Sequence, residues 1–235
     1  MNKNAERLSV VNRAQSPALP RAERAYEYLR MELLEGSLRP GDKLSVVTLT
    51  KQLECSRVPV MEALKKLEGE GLVEIIPQVG CRIATPDVND VADFFNLFAV
   101  VESSVVALAA ERRNAEDIAS FKILCREIDS SLRTSGGPRD NDPTYRHLNL
   151  KFHSAIHHMA RSPVCTQYAS TLWDRSDFYI KIAFGSLYFS NFVKRAHRQM
   201  RRAIIAGDAS AAREAAFAQL QAVGKKVVDT LEKPE

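Results

Sequence analysis

The chain has 235 residues, of which 45% are apolar and 26% charged, and its net charge is +4. That length suits two domains with real cores. The longest apolar stretch, around Phe94 to Ala110, is broken by Asn96, Glu102, Ser103 and Ser104, so no membrane span is expected. The polar start, Met1 to Arg13, holds no secretory apolar region, which points to the cytoplasm. Cysteines at positions 55, 81, 125 and 165 are too dispersed for a zinc finger or a redox pair and are expected to be free thiols. Bulk charge does not argue for nucleic acid, because residues 21–86 carry ten Lys/Arg and ten Asp/Glu. A DNA role has to come from where the charges sit.

Residues 1–19 are polar, aperiodic and end near Pro17 and Pro20, so they read as a flexible tail. Ala25, Tyr28, Leu29 and Leu33 recur at helical spacing and predict a helix over 21–35, stopped by Gly36. Pro40-Gly41-Asp42 is a turn. Ser45 is placed to cap a short helix through Leu53, and Ser56 to cap a third from about Arg57 to Glu70, with Pro59 tolerated in its first turn. Leu72 to Ile76 and Cys81 to Ala84 are short runs rich in branched residues, separated by Pro77-Gln78-Val79-Gly80, and they predict a two-stranded hairpin. Three helices and a hairpin make a winged helix-turn-helix, over residues 20–86, with the helix-turn-helix near 46–65. From 87 to 235 the pattern is helical throughout, with helices expected near 87–112, 115–134, 143–160, 163–184, 187–206 and 208–232. The fold expected is mostly α: the winged helix-turn-helix followed by an antiparallel, all-helical bundle of about six helices.

Gly36-Ser37-Leu38-Arg39-Pro40-Gly41-Asp42-Lys43-Leu44, then Ser56-Arg57-Val58-Pro59-Val60-Met61-Glu62-Ala63-Leu64, then Leu67-Glu68-Gly69-Glu70-Gly71-Leu72-Val73 and Gly80 stand in an order that resembles the DNA-binding domain of the GntR regulators. The remainder resembles the helical effector domain (FCD domain) of the FadR-type branch, through Glu102 with Ala109-Ala110-Glu111-Arg112, Phe152-His153, and His197-Arg198-Gln199-Met200 with Ala206-Gly207-Asp208-Ala209. Six helices suit its VanR-like subgroup. The resemblance implies a cytoplasmic, ligand-responsive transcription regulator, a repressor, that binds a palindromic operator in double-stranded DNA as a homodimer and responds to a small metabolite.

A recognition helix presents its N-terminal residues to base edges. Here those are Ser56, Arg57, Val58 and Met61, with Lys65 one turn beyond Met61 and Lys51 on the preceding helix. Arg57 is the strongest candidate, since an arginine there can hold guanine through two hydrogen bonds. Lys66 is expected only to solvate its face. Gly80 permits a tight wing tip from which Gln78 or Arg82 reaches a groove or phosphate, although Arg82 reads equally as an outward-facing strand residue. Where the family usually has arginine the chain has Met61, which removes a charged fork and offers an apolar contact to a thymine methyl.

The resemblance also implies a divalent metal, zinc, nickel or manganese, held by one Asp and three His. Those positions fall on Asn149, His153, His197 and Gln219. Two imidazoles and two amides are a weak set for a transition metal. Phe98 stands where the family often has an arginine that holds an acidic ligand. With Asn149, His153, His197, Gln219 and Phe98 lining it, the pocket is expected to hold no tightly bound metal and to take a neutral or partly polar ligand. His147, His157 and His158 match no ligand position and read as surface or packing residues; Trp173, Tyr179 and Phe184 read as core. A winged helix used for protein contacts and a metal-dependent enzyme are the alternatives. The second lacks a nucleophile–base–acid set, a Gly-rich phosphate loop and an HExxH motif.

Overall fold

The computed structural model of the chain describes residues 19–35, 38–134, 143–185 and 191–232. The tail over 1–18, the stop at Gly36, the break at Gly136-Gly137-Pro138 and the start of the helix expected from 187 lie outside them. The chain divides into two compact units, Met1–Pro86 and Asp87–Glu235.

In the first unit the order is α1 (Arg21–Glu35), β1 (Lys43–Leu44), α2 (Val46–Gln52), α3 (Arg57–Gly69), β2 (Val73–Ile76) and β3 (Gly80–Ile83). Ser45 caps α2 by accepting a hydrogen bond from Thr48 N at 3.2 Å. The hairpin is antiparallel in the register Val73↔Ile83, Glu74↔Arg82, Ile75↔Cys81 and Ile76↔Gly80. The hairpin forms as expected, but the sheet has three strands. β1 adds to its far edge through Lys43↔Arg82 and Leu44↔Cys81, giving the strand order β1-β3-β2. A two-residue strand carries no alternation for sequence to show. The core joins Ala25, Leu29 and Leu33 of α1 to Val60, Ala63, Leu64 and Leu67 of α3 and Ile83 of the hairpin. Tyr26, not Tyr28, is the buried tyrosine of α1, and its hydroxyl donates to Glu70, just after α3, at 3.0 Å.

The second unit comprises α4 (Val88–Arg112), α5 (Ala115–Thr134), α6 (Pro143–Ala160), α7 (Pro163–Phe184), α8 (Asn191–Ala206) and α9 (Ala209–Leu231). Asp87 caps α4 by accepting from Asn89 N at 2.8 Å, and Asp208 caps α9 by accepting from Ala211 N at 2.9 Å. α4 packs against α6, α7, α8 and α9. By length and composition α4 could cross a membrane, more than its broken apolar run leads one to expect. Its packing against four helices, and a buried glutamate at mid-length, are those of a core helix. Of the cysteines, all free, Cys81 and Cys125 are buried and Cys55 and Cys165 half-buried.

α9 packs tightly on α4 at Gly224, where an added Cβ would collide with the Phe95 side chain. Phe95 is itself packed edge-on to Phe94 and cannot retreat without disturbing that pair. Gly224→Ala is therefore expected to lower stability by about 1–3 kcal/mol. Gly69→Ala, where nothing lies within 4 Å of the new Cβ, is expected to be neutral or stabilising. Thermal unfolding of the two variants checks this, and equal melting temperatures would contradict the packing described.

Candidate DNA interface and effector site

α3 begins at Ser56, whose backbone is extended but whose side chain makes no capping hydrogen bond. A capping side chain bonds the N–H of the second or third helical residue; Pro59, the third, has none, which leaves only Val58 N, and Ser56 does not bond it. The Ser56 hydroxyl is thus left at the surface beside Arg57 and Val58, all three exposed. Val58 is 64% exposed and Val47, at the start of α2, is 65% exposed. Met61 is half-buried, and Lys51 and Lys65 are exposed.

At the wing tip Gln78 and Gly80 have φ of +63° and +136°, and both are exposed with Val79 between them. The left-handed tip turns the chain within three residues, as the glycine leads one to expect. Arg82 does face outward, and its guanidinium is engaged: Nε donates to Glu74 Oε2 at 2.8 Å across the strand pair. That bond, with one from Thr85 N, holds the Glu74 carboxyl below its usual range. Lys66 departs from expectation. Its ammonium lies 3.5 Å from the Tyr26 ring centroid and 3.5 Å from Glu23 Oε1, so it ties α3 to α1 rather than only solvating its face.

In the second unit the chemistry gathers around Glu102, which is 1% exposed. His157 Nε2 donates to its Oε2 at 2.9 Å and His153 Nδ1 to its Oε1 at 3.3 Å. Burial acts to raise the Glu102 pKa, but the two imidazole hydrogen bonds outweigh it and hold the group at about 2. His157, four residues after His153 on α6, is thus not a mere packing residue. The i, i+4 pair of histidines was the available sequence signal for a shared partner. His147 and His158 are exposed, as expected.

Burial lowers the pKa of His153, although Glu102 opposes it. Burial, then the neighbouring His153 and Arg201, lowers that of His197 well below 6.5. Both rings are neutral at pH 7. A neutral ring has one N–H; since His153 spends it on Glu102, its Nε2 presents a lone pair. The His153 ring lies 5.3 Å from the His197 ring and 4.0 Å from that of Trp173. Gln219 Nε2 donates to His197 Nε2 at 3.2 Å. Phe98 is fully buried and meets Trp173 edge-to-face at 5.1 Å. Trp173, expected as core, therefore lies against both His153 and Phe98, whereas Tyr179 is core and accepts from Arg175 Nε at 2.7 Å. Among the described residues no hydrogen bond joins Asn149, half-buried one turn before His153, to this group. The cluster thus brings together Phe98, His153, His197 and Gln219.

Among the described residues, His153 Nε2, Trp173 Nε1 and Gln219 Oε1 of this cluster, and Ser176 Oγ one turn after Trp173, are buried without a protein hydrogen-bond partner. Leaving each so costs about 1–3 kcal/mol, so each calls for a partner, water or ligand. A carboxylate behind His153 is the outer support a metal-binding imidazole commonly has. The rest of the set does not fit a metal. The facing nitrogen of His197 is already taken by an amide, Gln219 is neutral, and among the described residues no three His, Cys, Asp or Glu side chains are placed to hold an ion.

An exposed helix start with a wing, on a chain that also carries an all-helical unit, is the architecture of a transcription regulator. The model of the gntR family of bacterial regulatory proteins matches residues 21–83, and that of the FCD domain matches residues 93–222. The chain belongs to the GntR-family regulators that carry an FCD domain. It is 34% identical over 99 residues to the Nta operon transcriptional regulator of Aminobacter aminovorans, covering 42% of this chain and 47% of that protein. It is 26% identical over 220 residues to the transcriptional regulator YieP of Escherichia coli, covering 85% and 92%. The first curated relatives are matched over only about half of their length, from 41% to 64%. The solved structure of E. coli McbR/YncC shares the fold, with a TM-score of 0.72 at 19% identity over 92% of this chain and 100% of that one.

The buried histidines fix a pH response. A histidine whose folded pKa lies below its unfolded value takes up protons more readily when unfolded, so stability is lost as pH falls below about 6.5. Glu102, depressed from 4.5 to about 2, loses its own contribution only as pH falls through that lower window. The melting temperature in the presence of chelator is expected to fall between pH 7.5 and 5.5, and to fall less in His197→Asn. A melting temperature that rises over that interval would contradict neutral burial of the two rings.

Proposed function

We propose that the chain is a cytoplasmic, ligand-responsive repressor that binds a palindromic operator as a homodimer and is not an enzyme. The observation that carries this reading is the exposed Ser56-Arg57-Val58 start of α3 in a chain whose second unit keeps four buried polar atoms unsatisfied. Arg57 bonds a guanine edge; Ser56, Lys51 and Lys65 hold phosphate; and Val58 and Met61 meet thymine methyls. Gln78, on the wing tip that Gly80 allows, reaches the adjacent groove, and Arg82 meets phosphate only by sharing its guanidinium with Glu74. Met61, in place of an arginine, removes one cation from each recognition helix, so the affinity should depend less steeply on salt than it would with arginine there.

A single recognition helix reads too few bases for tight specific binding, and a palindromic site calls for a two-fold protein. Six helices in the second unit support the VanR-like subgroup. The effector, a small metabolite, sits among Phe98, His153, His197 and Gln219 with Asn149 one turn away, and no transition metal is held tightly by His153, His197 and Asn149. Effector and operator are coupled because the effector binds two states of the dimer unequally, typically by about 1–3 kcal/mol.

Selection of bound duplexes from a random-sequence pool, followed by anisotropy titration of the enriched sequence, tests the reading. Arg57→Ala is expected to weaken binding of that sequence by about 1–3 kcal/mol. Lys66→Ala should leave affinity unchanged and lower thermal stability. Enrichment of no sequence would favour a winged helix that contacts protein, and equal affinity losses in the two variants would overturn the assignment of Arg57. Light scattering should give a dimer at micromolar concentration; a monomer with and without DNA would overturn the two-fold reading.

A further inference from the structure

We infer that the buried centre of the helical unit takes an uncharged aromatic carboxamide, held at its amide edge by His153, Trp173, Ser176 and Gln219. This deepens the effector reading above and rests on it. The unsatisfied atoms form a definite pattern. His153 Nε2 and Gln219 Oε1 each need a donor, Trp173 Nε1 carries a proton that needs an acceptor, and the Ser176 hydroxyl serves either way. These atoms belong to three helices, α6, α7 and α9, which meet at His153, Trp173 and the His197–Gln219 pair. The His153 and Trp173 rings are 4.0 Å apart, Gln219 is bonded to His197 beside His153, and Ser176 lies one helical turn after Trp173 on α7.

A primary carboxamide offers two N–H donors and one carbonyl acceptor. Its donors match His153 Nε2 and Gln219 Oε1, and its carbonyl matches Trp173 Nε1 with room for the Ser176 hydroxyl on the second lone pair. A carboxylate of the same shape only accepts. It would set lone pairs against those of His153 and Gln219, beside a buried glutamate on the far side of His153. Phe98, fully buried against Trp173, offers this centre apolar surface and no charge. An ammonium group fails in the opposite way, because it cannot accept from Trp173. Phe98 and Trp173 meet edge-to-face and Phe152 lies against His197, so a flat ring on the amide finds aromatic neighbours.

The chain has one tryptophan, and it is Trp173, so tryptophan emission reports on this site alone. The experiment titrates the full chain with benzamide and with benzoate at neutral pH and follows that emission. Benzamide is expected to give a saturable change, and benzoate to bind at least about tenfold more weakly. Ser176→Ala and Gln219→Leu, each first shown to melt cooperatively, are expected to weaken benzamide and leave benzoate where it was. Benzoate binding as tightly as benzamide would overturn the ligand class while leaving the site as the effector site. No saturable change with either compound would overturn the effector reading itself, the four atoms then being completed by water.

Discussion

A carboxylate cannot be buried without donors, and that constraint organises the helical unit. Glu102 sits at the middle of α4, the helix against which four others pack, and the two donors it has are on one face of α6. Meeting them sets the rotation of α6 against α4. It also fixes which nitrogen of His153 carries the proton, and so which edge of that ring is turned to Trp173, His197 and Gln219. Removing either imidazole would leave an under-satisfied buried anion, a far larger penalty than an ordinary surface pair could impose.

The same constraint sets the electrostatics of the centre. One negative charge is enclosed, the rings of His153 and His197 are neutral, and Phe98 adds a fully buried aromatic ring. The cation nearest the centre, Arg201 beside His197, is already engaged by Asp129, and one His197 nitrogen is already bonded to an amide. What remains is hydrogen bonding from neutral groups in an environment of low polarity, where matched donors and acceptors are strong and mismatched ones are costly.

Much of this was legible in the sequence. Helical periodicity placed α1 and the helices of the second unit, Ser45 was recognisable as a cap, and Gly80 as a wing tip. The family positions brought His153, His197, Gln219 and Phe98 to one place. What was missed depends on long-range partners or on a neighbour's chemistry. β1 is too short to show alternation, Pro59 removes one of the two N–H groups Ser56 could cap, and Lys66 finds Tyr26 and, 43 residues earlier, Glu23 on another helix. His157 read as packing because its partner Glu102 lies 55 residues away, and Trp173 read as core because nothing local says which ring it meets.

The tautomer of His153 is the most direct test of how Glu102 governs the site. Long-range proton–nitrogen NMR correlation on the selectively labelled full chain at neutral pH distinguishes the three forms of the ring. A neutral His153 with its proton on Nδ1 and a bare Nε2 is the result predicted. A proton on Nε2 alone, or an imidazolium, would mean that the ring does not donate to Glu102 as described or does not present a lone pair to the effector, and would contradict the arrangement on which the site is built.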